Sequence, residues 1–568
     1  YFRAVVQNGV CATANSAYVT ITIGSTTWNG SAWSNLAPTS TTSAIIAGNY
    51  NSSLNGGSIT ACTLTVNSGT VFISTGDDVT LNGALTVVSG SFTLDNNANL
   101  LQTTNAANSG NIIVKRNSSL ILRQDYTLWS SPVADQDIFA FSPLTVVTPT
   151  SRFYTYNTST NFYESIVTPS GVDFATAKGY LIRVRNTHSA ITPSSWTGVF
   201  TGEPHNGTIN YTMDNFGMVG LVSYKYNLIG NPYPSPIDAI KFVDDNAATI
   251  TGTLYFWRKT NNAAMPSYSS WSKAGYDPDA PIPVRGTFVT SYPELTDPEG
   301  IIQTGQGFFV EALGAATNVE FNNDQRVGNH ADQFFRNAAI TAVPSSYESH
   351  RIWLNVANVE GAFCQTAIGY FTGATLGFDY GIDGKAINDG PIELYSTADT
   401  NKLVIQGRPV PFDATDVVPL GFKATVAGNY SIAIDHLDGL FSGSQDIYLK
   451  DNLTGAEHDL KAGAYNFTSD AGTFETRFEI IYQNALGVND PVLENAVVIY
   501  KQGDHFVITS GSTIMDNVKV FDIRGRLLVD KTNINASETT VNAGETNQVL
   551  IVKITSDTNQ SVTKKVVN

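Results

Sequence analysis

The strongest constraint on how this chain can fold is a repeat of twenty-one residues near its start. Leu64-Thr-Val66, Ser68-Gly69, Val71, Ile73 and Val79 return as Leu85-Thr-Val87, Ser89-Gly90, Phe92, Leu94 and Leu100. The runs are short, alternate apolar with polar residues and stop at Gly or Asn. That is the pattern of strands joined by tight corners rather than of helices. One such unit cannot bury its apolar face alone, whereas a neighbour stacked on it can. The repeat therefore predicts consecutive coils of a short β-solenoid over 43–123, with 112–114 and 120–122 supplying a further, irregular coil.

The remaining sequence favours the same backbone geometry. Of 568 residues only 14% are charged and four are Met, while Thr, Ser, Asn, Gly, Tyr and Phe abound, so long helices have little to be built from. The expected class is all-β and multidomain, with roughly three to five cores. A net charge of −17 argues against nucleic-acid binding, where Lys and Arg must replace phosphate counterions, and disfavours adsorption to anionic lipid. No apolar run approaches the ~18 residues of a membrane helix, so no transmembrane segment is expected. The chain opens at Tyr1 with neither an initiator Met nor a signal peptide and reads as the C-terminal part of a longer protein. Cys11, Cys62 and Cys364 are too scattered for a disulfide framework or a zinc site, and Cys11 is expected to carry an unpaired thiol.

Residues 1–25 read as the last strands of a truncated Ig-like repeat, with Asn8-Gly9 at the hairpin tip. After the solenoid, 124–345 is an aromatic-rich β region. Its landmarks are Lys178-Gly-Tyr-Leu-Ile-Arg183, Asn227-Leu-Ile-Gly-Asn-Pro-Tyr-Pro-Ser-Pro-Ile237 and Thr304-Gly-Gln-Gly-Phe-Phe-Val310. Pro232, Pro234 and Pro236 lack donors and fix φ, so that stretch must leave the sheet as a rigid extended corner. Gly305 and Gly307 point to a bulge or close approach where the next strand starts. Over 346–484, strands are expected at 351–356, 365–370, 392–395, 403–407, 417–424, 428–434, 446–451, 458–460 and 474–481, at the spacing of a two-sheet β-sandwich. Residues 485–495, with Gly487, Asp490 and Pro491, form a linker to a last module at 496–568.

No catalytic constellation accompanies these strands. The sequence has no His-Glu-x-x-His, Gly-x-Ser-x-Gly or Gly-x-x-x-x-Gly-Lys, and its seven histidines lack ligand spacing, so the chain is read as not an enzyme. No cofactor is expected. Asp77, Asp78 and Asp95 at the solenoid corners could offer oxygens to calcium, but six or more are needed and the nonapeptide Gly-Gly-x-Gly-x-Asp is missing; solvated corners are the better reading. Asp379-Tyr-Gly-Ile-Asp383-Gly384 misses the EF-hand spacing and reads as a hairpin turn with Asp-Gly at its tip. Trp257, Tyr268 and Trp271, set among Asn and Ser, could stack on sugar rings as a glycan contact; core packing is the more economical reading.

The last module is nearly neutral, with 8 Lys/Arg against 9 Asp/Glu from Val488 onward. Three of its segments follow in order: Phe521-Asp522-Ile-Arg-Gly525-Arg526, Gln548-Val549-Leu-Ile551-Val-Lys553-Ile554 and the terminal Thr563-Lys564-Lys565-Val566. Together they resemble the Ig-like C-terminal sorting domain of type IX secretion cargo, which carries an aspartate-x-x-Gly-Arg turn, a YLVKI-type strand and a final Lys-Lys-Val strand. The Pro-Asn-Pro that usually opens its first strand is absent, with only Asp490-Pro491 nearby, so the module resembles a variant. The resemblance implies export through the periplasm and the outer membrane by the type IX translocon, engagement by a PorV-like shuttle protein, and an extracellular, cell-surface location. It also implies that Phe521, Asp522, Gly525, Arg526, Val549, Ile551, Lys553, Lys564, Lys565 and Val566 act as the secretion signal.

The landmarks of 124–345 resemble, in turn, a module of large surface proteins of gliding bacteria. The expected function is that of an adhesin or gliding-associated surface protein, with surface glycans or other adhesins as further partners. The alternatives are the C-terminal stalk and signal of a secreted enzyme whose catalytic domain lies upstream, and a glycan-binding module.

Overall fold

The computed structural model describes residues 24–219, 222–257, 268–277, 300–314, 317–330, 348–387, 390–483, 496–511, 513–544, 548–557 and 561–567, with the short strands Val5–Val6 and Ala14–Asn15. The chain is all-β and divides into two compact units, Tyr1–Tyr482 and Gln483–Asn568.

The solenoid has the register that the repeat demands. Leu64, Thr65 and Val66 pair in parallel with Leu85, Thr86 and Val87. Thr70–Ile73 lies on Ser91–Leu94, and Asp78–Leu81 on Asn99–Gln102, so three parallel sheets form three faces. Leu64, Val71, Val79, Leu85, Phe92 and Leu100 point into one buried column. At the corners Gly69 and Gly90 both have φ +90, and a Cβ on Gly90 would collide with the carbonyl oxygen of Gly69 in the preceding coil. Only glycine lets successive corners nest this closely.

The stack begins earlier than position 43. Ser25–Trp28 lies in parallel on Ser43–Ile46, an offset of eighteen residues against twenty-one from Leu64 to Leu85, so the first coil falls outside the period. Upstream, Val5–Val6 and Ala14–Asn15 pair antiparallel with Val6 opposite Ala14, and the expected Asn8-Gly9 tip lies outside the described residues. The reading of 1–25 as an Ig-like repeat, and Cys11 with it, rests on residues outside those described. Cys62 carries a free thiol, and the buried Cys364 Sγ accepts from the Leu394 N–H at 3.5 Å.

Position 123 is not a boundary between cores. Ile112–Asn117 extends the solenoid sheet through Thr93 opposite Ile113, and Thr197–Gly202 then runs antiparallel along all of it. One core continues from Trp28 to Phe321. The aromatic-rich region has two larger antiparallel sheets, beside three two-stranded ones. The first runs Tyr126–Trp129, Tyr180–Arg183, Phe153–Asn157, Phe162–Ser165; the second runs Tyr226–Gly230, Gly307–Ala312, Ile250–Trp257, Tyr268–Ser272, Gly275–Asp277. The proline stretch is a rigid corner after Tyr226–Gly230. Asn231 Nδ2 ties it by donating to the carbonyls of Ser235 and Gln303, at 2.8 and 3.1 Å. Gly305, at φ +70, lies against the Ser130 carbonyl just before the strand that Gly307 opens. The short helix Ala239–Asp245 starts where Asp238 accepts from the N–H groups of Ile240 and Lys241.

Arg326 clamps this region to the solenoid. Its buried guanidinium donates to Ser235 Oγ, Asn206 Oδ1, Asn323 Oδ1 and the carbonyl of Leu100, and lies 4.8 Å from the Tyr233 ring centroid.

All nine strands expected over 346–484 form, together with Gly384–Lys385 and Tyr465–Ser469. They do not make two separate sheets. One continuous path leads from Ala456–Asp459 to Tyr465–Ser469, and the sheet curls over a core that includes Ile352, Leu354, Val418, Leu420, Phe478 and Ile480. The expected sandwich is therefore corrected to a single curled sheet: alternation marks which face of a strand is buried, not which strand follows at its edge. Trp353 joins this sheet to the preceding region, its Nε1 donating to the Tyr276 carbonyl at 2.8 Å while its ring packs on Ala274.

The second unit is a two-sheet sandwich. Val498–Gln502, His505–Thr509 and Glu538–Val541 form one sheet; Leu527–Lys531, Met515–Asp522, Val549–Ser556 and Ser561–Val567 form the other, in that spatial order. Phe506, Ile508, Val518, Val520, Leu550, Val552 and Ile554 fill the space between. The linker 485–495 lies outside the described residues.

Candidate functional site

The residues singled out in the last module sort by strand parity. Val518, Val520, Leu550 and Val552 face the core, so their alternates face away from it. The registers then align one row across four strands: Leu527, Phe521, Ile551 and Lys565. The neighbouring row is Asp530, Lys519, Lys553 and Thr563, with Lys519 Nζ 3.4 Å from Asp530 Oδ2. Val549 stands opposite Val567 on the same face. Five of the ten signal residues, Phe521, Val549, Ile551, Lys553 and Lys565, thus share one outward face. Exposed Leu527, Ile523 and Val567 beside them make its end apolar.

Asp522, Gly525 and Arg526 have a different task. The Asp522 carboxylate is buried; its Oδ1 accepts from the N–H groups of Arg524 and Arg526, each at 2.9 Å, and its Oδ2 from Arg526 Nε at 3.1 Å. Gly525, at φ +79, lets the chain reverse, and its N–H donates to the Asp522 carbonyl. The Asp-x-x-Gly-Arg motif is a self-capped hairpin turn. The Arg526 N–H, then that of Arg524 and the guanidinium, hold the Asp522 carboxyl below the usual carboxylate range against its burial. Lys564 and Val566 fall on the inward parity, opposite Val552 and Leu550, and Val566 packs on the core. The structure does not bring them to the outward face. Leu527 and Ile523 were missed in sequence, although Leu527 follows the turn directly.

Trp257 and Tyr268 pair across their hairpin with ring centroids 5.4 Å apart, and the Tyr268 and Tyr163 hydroxyls meet at 3.0 Å. Tyr156, Tyr163 and Phe309 complete this half-buried aromatic cluster. Trp271 is not part of it: an odd step from Tyr268 turns it into the main core, where it is 3% exposed, so its place in a glycan contact is corrected.

Of the acidic corners, Asp95 faces Lys115 at 3.1 Å and Asp78 faces His330 at 3.5 Å, while Asp77 Oδ1 lies 3.5 Å from Ser58 Oγ. Among the described residues no three His, Cys, Asp or Glu side chains gather as metal ligands. Asp379–Gly384 is a turn, but its left-handed residue is Gly381, and Gly384 opens a strand. Asp383 points inward and accepts from the N–H groups of Asp379 and Gly407 at 2.7 and 2.6 Å; burial pushes its carboxyl up to about 7.

These features define an all-β protein with a solenoid built into its first unit and an independent sandwich at its C-terminal end. Residues 21–482 match the family described as a domain of unknown function (DUF8693), and the chain belongs to that family. Residues 486–568 match a second domain of unknown function (DUF8694). The two matches part where the compact units part. No curated protein matches the sequence. Among solved structures, the central fibronectin-III array of RIM-binding protein is similar at 10% identity over 35% of this chain and 96% of its own, with a TM-score of 0.12, too low to carry an inference.

Proposed function

We propose that the protein is a non-enzymatic cell-surface protein, an adhesin or gliding-associated component, exported by type IX secretion. Gln483–Asn568 is its transport address and Tyr1–Tyr482 the part displayed. The supporting observation is the shared outward face of Phe521, Val549, Ile551, Lys553 and Lys565 beside the Asp522–Arg526 turn, on a unit compact in its own right. A half-apolar sheet face rimmed by lysines suits a receptor that covers it, as a PorV-like shuttle would.

Cell fractionation tests this reading. Removal of 483–568 should leave a folded protein in the periplasm, and fusion of 483–568 to a reporter should carry the reporter out. Ile551→Glu should block export of the fusion while its melting temperature holds. Normal surface display of the truncated chain would overturn the proposal.

A further inference from the structure

We infer that Arg152 and Arg183, with the phenols of Tyr126 and Tyr154, form a site in the first unit for the carboxylate or sulfate group of an acidic saccharide. Strand parity puts the four side chains on one face. Phe153 stands opposite Ile182, and both point into the main core. Tyr154 opposite Leu181, and Tyr126 opposite Arg183, therefore lie on the other face, where Tyr126, Tyr154 and Leu181 pack together. The Arg183 N–H donates to the Arg152 carbonyl, so the two arginines are direct cross-strand neighbours. Side-chain contacts agree with this register. Arg152 Nη1 donates to the Tyr154 hydroxyl at 3.1 Å, and the Tyr126 and Tyr154 ring centroids are 5.9 Å apart.

Like charges directly opposite on neighbouring strands destabilise a sheet. Here nothing offsets them: among the described residues neither guanidinium has an ion-pair partner. Arg183 is 7% exposed, yet its guanidinium meets only the Asn186 amide oxygen, 3.5 Å from Nη2. Nε of both arginines is buried without a partner. The curled sheet treats its arginines differently, setting Asp438 against Arg351, Asp416 against Arg408 and Asp451 against Arg477. Asp125, next to Tyr126 in the chain, instead accepts from the Leu122 N–H at 2.8 Å. An uncompensated pair of guanidiniums in a chain with 49 Asp and Glu is a place where the neutralising group is left to a ligand.

The chemistry of the four side chains selects the ligand class. The hydrogen bond from Tyr154 raises the pKa of Arg152 further, so it is a permanent cation. Burial, then the neighbouring Tyr154, pushes the Tyr126 hydroxyl up, so it keeps a proton to donate. Planar guanidinium forks match the paired oxygens of a carboxylate or sulfate. The half-buried rings of Tyr126 and Tyr154 offer an apolar surface to the sugar that carries it. A neutral sugar would leave the like charges uncompensated, and an ammonium would add a third. The net charge of −17 does not prevent the contact, because carboxylates beyond about 8 Å are largely screened at physiological salt. The oxyanion rests on the arginines alone; the saccharide carrier rests on the cell-surface reading above.

The test is titration calorimetry of the purified full chain with oligogalacturonate, sulfated galactan oligosaccharide and neutral galactan oligosaccharide. One or both acidic sugars should bind and the neutral one should not; the tighter acid identifies the oxyanion. Arg152→Gln should weaken binding by about tenfold or more, the effect of lost charge-assisted hydrogen bonds. Arg152→Lys, which keeps the charge without the fork, should lose less. The melting temperature of Arg152→Gln should hold or rise, because one of two like charges is gone; a merely structural arginine would lower it. No binding of either acid at millimolar concentration, equal binding of the neutral sugar, or an affinity unchanged by Arg152→Gln would each overturn the inference. Because the protein is purified, failure of export in the fractionation assay leaves this outcome untouched.

Discussion

Nε2 of His330 lies 3.5 Å from Oδ2 of Asp78, while its Nδ1 lies 2.8 Å from the carbonyl oxygen of Asn97. A carbonyl and a carboxylate only accept, so the arrangement favours the imidazolium, with a proton on both ring nitrogens. The hydrogen bond to Asp78 is the main cause that pushes the His330 pKa up to about 8. Partial burial opposes it, and the Asn97 carbonyl and the charges of Asp78 and Asp77 assist.

Because the folded pKa exceeds the ordinary 6.5, this latch contributes fully below pH 6.5 and is lost as pH rises through about 8. The melting temperature of the first unit should therefore fall more steeply between pH 6.5 and 9 in the native protein than in His330→Gln. An NMR titration should place the His330 midpoint near 8; a value at or below 6.5 would contradict the geometry.

Arg326→Met should be among the most damaging single changes in the first unit. It leaves acceptors on Ser235, Asn206, Asn323 and Leu100 facing a thioether. At ~1–3 kcal/mol for each buried group left unsatisfied, a loss of about 3 kcal/mol or more is expected in urea unfolding. Arg326→Lys should rescue little, because one ammonium cannot span four acceptors.

Gly90→Ala and Gly76→Ala separate two costs of the solenoid corner. Both sites have φ near +90, worth ~1–2 kcal/mol against a residue with a Cβ. At Gly76 the added atom meets nothing within 4 Å, whereas at Gly90 it strikes the Gly69 carbonyl. Thermal melts should show the larger drop for Gly90→Ala; equal drops would mean that the coils are not nested.

In the second unit, Asp522→Ala should lower the melting temperature by removing the acceptor for two backbone N–H groups. Arg526→Ala should hardly change it, since that side chain is 76% exposed and its ion pair is a surface one. If Arg526→Ala nevertheless weakens export of a reporter fusion, the guanidinium acts on a partner rather than on the fold.

What could be read from sequence depended on whether geometry leaves a period behind. Stacking forces Leu64 over Leu85, so the solenoid shows as a repeat. The pairing of Ile112–Asn117 with Thr197–Gly202 imposes no such echo, because an antiparallel edge accepts any alternating strand. The Asp522 turn was legible because its residue types are those the hydrogen bonds require. The misplacement of Trp271 had another origin. Its odd distance from Tyr268 along one strand already put the two on opposite faces, but parity has meaning only once the segment is known to be a strand. Lys564 and Val566 differ from Lys565 in the same way.

The closure of the solenoid by a distant strand also orders events in time. Asn117 meets Thr197 across 80 residues, and Leu100 meets Arg326 across 226. For a chain emerging from its amino end at ~5–20 residues per second, Ile112–Asn117 has no native edge partner for on the order of ten seconds. Contacts of such span also carry a high entropic cost before they repay it, which slows folding. During that interval the parallel coils present an open template to any other extended chain. The solenoid edge is thus made well before the strand that seals it, and it is there that crowding or a slowed ribosome would divert the protein into aggregates.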